Sequence, residues 1–120
     1  MIIKESAENY LEAVFSIKKE KGCVRSIDVA NELGVSKPSV SVAMKNFREE
    51  GYITVDENGY LDLTEKGMEI ATRVYERHEI IAKALIAIGV SEKTAYEDSC
   101  KIEHDISNET FEKLKSFLKK

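Results

Sequence analysis

Residues 100–107, Cys-Lys-Ile-Glu-His-Asp-Ile-Ser, hold a thiol, a carboxylate and an imidazole in close succession. On a helix, Cys100, Glu103 and His104 stand at i, i+3 and i+4 and share one face. Such a trio can converge on one divalent ion, with thiolate and imidazole suited to later first-row metals and the carboxylate adding a hard anionic oxygen. The chain has 2 His and 2 Cys, and one of each falls in this segment. The other histidine, His78, lies on an apolar stripe, where a satisfied core histidine is the commoner role. Cys100 alone reads as a small buried hydrophobe, and Glu12 alone as part of a solvated helix face. Residue chemistry by itself leaves a metal site and an ordinary amphipathic helix both open.

A second constellation concerns anions. From Ser36 to Arg48 the chain carries Lys37, Lys45 and Arg48 and no acidic residue, although the net charge is −4. Overall acidity argues only weakly against nucleic acid, because a local basic face is enough to bind it. The surplus acid elsewhere can attract cations. At 120 residues, 42% hydrophobic and 33% charged, the chain has ordinary globular composition and length for one small domain or two sub-domains. The beginning lacks the apolar run of a secretory leader, and no segment approaches the ~20 apolar residues of a membrane span. With no disulfide framework, the reading is a cytoplasmic protein with reduced thiols and no membrane partner.

Apolar spacing and caps predict the elements that must position these groups. The first helix runs from about Glu5 to Lys21, with Tyr10, Leu11, Val14 and Phe15 as its stripe. A short helix is expected in SIDVANELGV, with Ser26 as N-cap and Ile27, Ala30 and Leu33 facing inward. A third opens at Ser36, its cap, with Pro38 tolerated in the first turn. Ile53–Val55 and 60–63 alternate around Asn58-Gly59, a hairpin signal. Thr64 then caps a long helix, about Glu65 to Ile88, whose stripe is Ile70, Val74, His78, Ile81 and Leu85. Ser91 caps a fifth helix carrying the Cys-Glu-His motif, and Ser107 a last one.

Two short helices joined by a Gly-containing turn and followed by a hairpin make a winged helix-turn-helix. Small hydroxyls and free N–H groups at the start of the second of these helices can approach phosphates and base edges. The candidate DNA contacts are Arg25, Ser26, Ser36, Lys37, Pro38, Ser39, Ser41, Val42 and Lys45, with Asn58 at the wing tip. A protein-binding winged helix is the alternative, favoured by the acidic wing residues Asp56, Glu57 and Asp62.

The chain resembles the DtxR/MntR family of iron- or manganese-dependent transcriptional repressors. The resemblance covers nearly the whole chain. It is carried by ENYLEAVFSIKKEKG, IDVANELGVSKPSVSVAMKNFREEGYI, LDLTEKGMEIATRVYERHEIIAKAL and CKIEHDIS. It implies a mainly α protein: a winged-helix DNA-binding domain with a small β-hairpin wing (residues 1–73) and a helical metal-sensing and dimerisation domain (74–120). It further implies a metal-dependent repressor of metal-homeostasis genes. A bound divalent ion would fix the DNA-binding geometry of a homodimer on an inverted-repeat operator in double-stranded DNA.

Carried over by position, the implied metal ligands are Asn9, Glu12, His78, Cys100, Glu103 and His104. Glu12 resembles the manganese branch and Cys100 the iron branch, while Asn9 matches neither. The expected cofactor is therefore Fe²⁺ or Mn²⁺, with Co²⁺, Ni²⁺ or Zn²⁺ binding in vitro. Ala82 and Tyr96 replace the Glu and His of the iron branch's ancillary site, which is expected to be absent in its family form. The chain is also too short for the SH3-like domain of that branch. Apolar Ile80, Leu85, Ile88, Phe111, Leu114, Phe117 and Leu118 exceed what so small a lobe can bury, which suits a two-fold interface. The alternatives are a metal-free winged-helix regulator of the MarR type and a small metal-dependent hydrolase. No separate general base or substrate pocket is evident for the latter, so no catalytic residue is expected.

Overall fold

The computed structural model describes residues 5–119; the outer ends of the two expected domains, residues 1–4 and 120, lie outside them. The order is α1 (Glu5–Lys21), α2 (Ser26–Leu33), α3 (Lys37–Glu49), β1 (Ile53–Val55), β2 (Leu61–Leu63), α4 (Glu65–Ala87), α5 (Glu92–Ile102) and α6 (Asn108–Leu118). The chain divides into two units between Thr72 and Arg73, inside α4.

In the first unit, α1 buries Leu11, Ala13, Val14 and Ile17 against Val29 and Ala30 of α2, Val40, Met44 and Phe47 of α3, and Ile53 and Leu61 of the hairpin. Tyr10 and Phe15 pack at the edge of this core. The cap of α2 differs from expectation. Arg25, not Ser26, is the N-cap, and its N–H donates to Asp28 Oδ2 at 2.9 Å. An acidic side chain at the third helical position reaches back in this way in a capping box and sets the helix start. In that frame Val29 and Ala30 face the core, and Ile27 is 37% exposed rather than inward. α3 starts as its sequence implies: Ser36 Oγ accepts the Ser39 N–H at 3.2 Å, with Pro38 in the first turn.

The hairpin pairs Ile53 with Leu63 and Val55 with Leu61. Its loop is residues 56–60, so Asn58-Gly59 is not the central pair of a two-residue turn. Asp56 organises the loop. Its carbonyl accepts the Gly59 N–H at 3.0 Å, and its Oδ1 accepts the Asn58 and Tyr60 N–H groups at 2.8 and 2.9 Å. Only Gly59 takes a positive φ, +83°, and Asn58 does not. A type I′ turn would need both.

Lys18 Nζ meets Asp62 Oδ1 at 2.5 Å and ties α1 to β2. The Lys18 hydrogen bond holds the Asp62 carboxyl below its ordinary range. A lowered folded pKa gives stability that is present above the unfolded carboxyl value and is lost as pH falls through the folded one. Both groups are substantially exposed, so the contribution is small.

Gly67 carries the closest backbone approach. A Cβ there would lie 2.0 Å from the Tyr52 carbonyl oxygen, which already accepts the Thr64 N–H at 3.0 Å. Thr64 Oγ1 caps α4 by accepting the Gly67 N–H at 3.2 Å. Gly67→Ala is therefore expected to force the start of α4 off the hairpin and cost at least about 1–3 kcal/mol. Urea unfolding checks this, and an unchanged midpoint would show that the contact is not tight.

In the second unit Val74, Ile81, Ala82, Ala95 and Phe111 are buried, together with two polar residues, Ser99 and Glu103. Ser91 and Ser107 cap α5 and α6 through the Thr94 and Thr110 N–H groups. Phe111 is 5% exposed, with the Arg77 guanidinium 5.3 Å from its ring centroid, so it is not a spare surface residue. Ile88 (75%), Phe117 (63%) and Ile86 (39%) do remain exposed. Among the described residues no helix is long and apolar enough to cross a membrane.

Candidate metal centre and nucleic-acid interface

The second unit holds four of the metal-ligand candidates, His78, Cys100, Glu103 and His104, which approach one another in pairs. His78 projects from α4, and Cys100 from the last turn of α5, 22 residues on. Glu103 and His104 differ from expectation in lying just past α5, not within it. Glu103 is its C-cap and still right-handed helical, its N–H donating to Ser99 O at 3.0 Å. The helical face therefore persists through the cap.

His78 Nε2 lies 3.2 Å from Cys100 Sγ and 3.2 Å from the Tyr96 carbonyl. The Tyr96 ring packs edge-on to the imidazole at 5.6 Å. Glu103 is buried, 2% exposed, and its Oε1 lies 3.3 Å from His104 Nε2. Ligand atoms of His78 and Glu103 approach within 4.8 Å. Metal–nitrogen and metal–sulfur bonds of ~2.1 and ~2.3 Å put a shared imidazole nitrogen and thiolate about 3.1–3.6 Å apart. The His78–Cys100 separation falls in that range. The pair fits two ligands of one transition-metal ion, and His78 also groups with the buried Glu103; among the described residues the grouped ligand atoms do not include Cys100 or His104.

Asn9 and Glu12 stand one turn apart on α1, half-buried, in the first unit. Ala82 is fully buried. Tyr96 donates its hydroxyl to Glu79 Oε2 at 3.0 Å, and this bond raises its phenol pKa. Sequence reasoning missed Glu79 as the partner that occupies this position, and no local spacing signals it.

The nucleic-acid candidates lie in the first unit. Lys37, Pro38, Ser39, Ser41, Val42 and Lys45 are exposed on α3, Asn58 is exposed on the wing, and Ser26 is half-buried at the start of α2. Two of the hydroxyls are already engaged: Ser36 Oγ donates to Ser39 Oγ at 2.8 Å. Arg25 lies with its guanidinium 4.4 Å from the Tyr60 ring centroid, held against the wing. A hollow of about 170 Å³ is lined by Ser26, Ser41, Lys45 and Arg48 with Met44 and Val55. Arg48, which the sequence places with Lys45 as charge along α3, lines the same hollow one turn further on.

Residues 3–61 match the family model described as iron dependent repressor, N-terminal DNA binding domain. Residues 64–120 match that described as iron dependent repressor, metal binding and dimerisation domain. An uncharacterized HTH-type transcriptional regulator of Methanocaldococcus jannaschii is 33% identical over 120 residues, covering 98% of this chain and 96% of its own. The transcriptional regulator MntR of Escherichia coli is 32% identical over 117 residues, covering 98% of this chain and 76% of its own. Among solved structures, the manganese regulator SloR superposes with a TM-score of 0.80 at 25% identity, over 99% of this chain and 55% of that one. The chain thus spans about half the length of SloR.

Proposed function

Because the chain belongs to the iron dependent repressor family, a family of metal-dependent DNA-binding transcriptional regulators and not of enzymes, we propose that His78, Cys100, Glu103 and His104 hold its regulatory ion. The observation that carries this reading is the 3.2 Å approach of His78 Nε2 to Cys100 Sγ beside a buried carboxylate. Asn9 and Glu12 complete the set by the family resemblance. A metal-free regulator of the MarR type is disfavoured by the match to a metal-binding family.

The ion is Fe²⁺ or Mn²⁺. Cys100 favours iron, because Mn²⁺ prefers oxygen ligands; Glu12 and the likeness to the manganese regulator SloR favour manganese. The protein acts in the cytoplasm as a two-fold homodimer on an inverted-repeat operator. Ile86, Ile88 and Phe117 supply exposed apolar surface for the pairing. A bound ion supplies a positive charge that ligands on separate helices share. Binding that prefers one arrangement of these helices shifts the population towards it. If the operator prefers the same arrangement, metal and DNA strengthen each other's binding by an equal factor, typically about 5- to 150-fold.

The test is a gel-shift titration of a duplex pool against Fe²⁺, Mn²⁺, Co²⁺, Ni²⁺ and Zn²⁺. Binding that requires a divalent ion supports the reading, and equal binding in chelator refutes it. Lys45→Ala should weaken binding across all sequences and lower the salt slope by about one counterion, as for a phosphate contact. Unchanged affinity would remove α3 from the interface.

A further inference from the structure

The outward face of α3 carries one side chain out of keeping with the rest. Val42 is 61% exposed, while Val40, Met44 and Phe47 form the buried face of the same helix. At about 100° per residue, Val42 stands ~200° from Val40 and from Met44, pointing away from the core. Its outward neighbours at helical spacing are Pro38, Ser39, Lys45 and Asn46, all exposed. A single exposed valine is unremarkable on most surfaces. Here it sits in the middle of the face that the proposed function turns towards DNA, flanked by a hydroxyl and a cation. An isopropyl group there cannot take part in hydrogen-bond readout. The base feature it can recognise in the major groove is the 5-methyl group of thymine, which offers an apolar contact that cytosine lacks.

We propose that Val42 reads a thymine methyl group in each operator half-site and is a specificity-determining residue of this repressor. The inference rests on the DNA-reading role of α3 proposed above. Ser39 and Lys45, about one turn away on the same face, then serve to hold the helix at the groove through polar and phosphate contacts, while Val42 contributes base choice. Removing one buried methyl group costs about 0.8 kcal/mol, which is about a fourfold loss of affinity per half-site.

The experiment uses the full chain with Mn²⁺ and a pool of random duplexes. The bound sequence is recovered and resynthesised with deoxyuridine in place of each thymidine in turn, a change that deletes only the methyl group. The expected result is one position per half-site where uridine weakens wild-type binding about fourfold. For Val42→Ala the thymidine and uridine duplexes should bind equally, and 5-methylcytosine at that position should recover part of the wild-type affinity lost on changing thymine to cytosine. If no uridine substitution weakens the wild type, or if Val42→Ala keeps the same methyl sensitivity, the inference is overturned while DNA binding itself stands. If no duplex is enriched at all, the DNA-reading role of α3 fails and takes this inference with it.

Discussion

Glu103→Gln is expected to yield a protein that folds normally without metal but no longer responds to it. The substitution keeps the size and most of the hydrogen-bonding capacity of a side chain that is 2% exposed. It deletes the anionic oxygen that a divalent cation needs from this position. A metal that binds only the folded state raises stability by mass action, by about 2.7 kcal/mol when its concentration is 100 times Kd. The wild type should show that rise in thermal melts with Mn²⁺ or Co²⁺, and the variant should not. Operator affinity in metal should fall to the value in chelator, a loss of about 5- to 150-fold if the coupling has its usual size. The His78–Cys100 pair is untouched by this change, so retained metal response would exclude Glu103 from the site rather than the whole arrangement.

Cys100 gives the second large effect, and it has a sign. With Co²⁺ bound, a thiolate ligand should give an intense near-ultraviolet charge-transfer band, which Cys100→Ser should abolish. Cys100→Glu exchanges a soft ligand for a hard one and should shift the response from Fe²⁺ or Co²⁺ towards Mn²⁺. Fluorescence-detected melts against each ion, read beside the cobalt spectrum, check both. Bound cobalt without the band would show that the 3.2 Å approach of Cys100 Sγ to His78 Nε2 is a hydrogen bond only. The ligands would then narrow to His78, Glu103 and His104 with Glu12.

Much of this fold is legible because its signals are local. Ser36, Ser91 and Ser107 each cap a helix by accepting an N–H three residues on, and a cap needs nothing beyond its own turn. The alternation of Ile53–Val55 and Leu61–Leu63 likewise specifies a hairpin. Where two local signals compete, single-residue reading fails. Ser26 looks like the cap of α2, yet Asp28 bonds back to the Arg25 N–H and moves the frame, exposing Ile27. Asn58-Gly59 looks like a two-residue turn, yet the Asp56 carboxylate gathers a longer loop around itself.

The candidate site divides along the same line. Residue type alone marked Cys100, Glu103 and His104, because few side chains can ligate a metal and three of them fall within one helical turn or so. The sequence by itself determined that these groups share a face, since α-helical geometry is set by backbone hydrogen bonds over four residues. Tertiary structure alone decided that His78, 22 residues before Cys100, supplies the nitrogen at 3.2 Å from its sulfur, that Glu79 rather than a metal ligand set engages Tyr96, and that Glu103 is buried. Those facts depend on how α4 and α5 pack. Packing answers to the summed fit of many apolar side chains, which no spacing within one segment encodes.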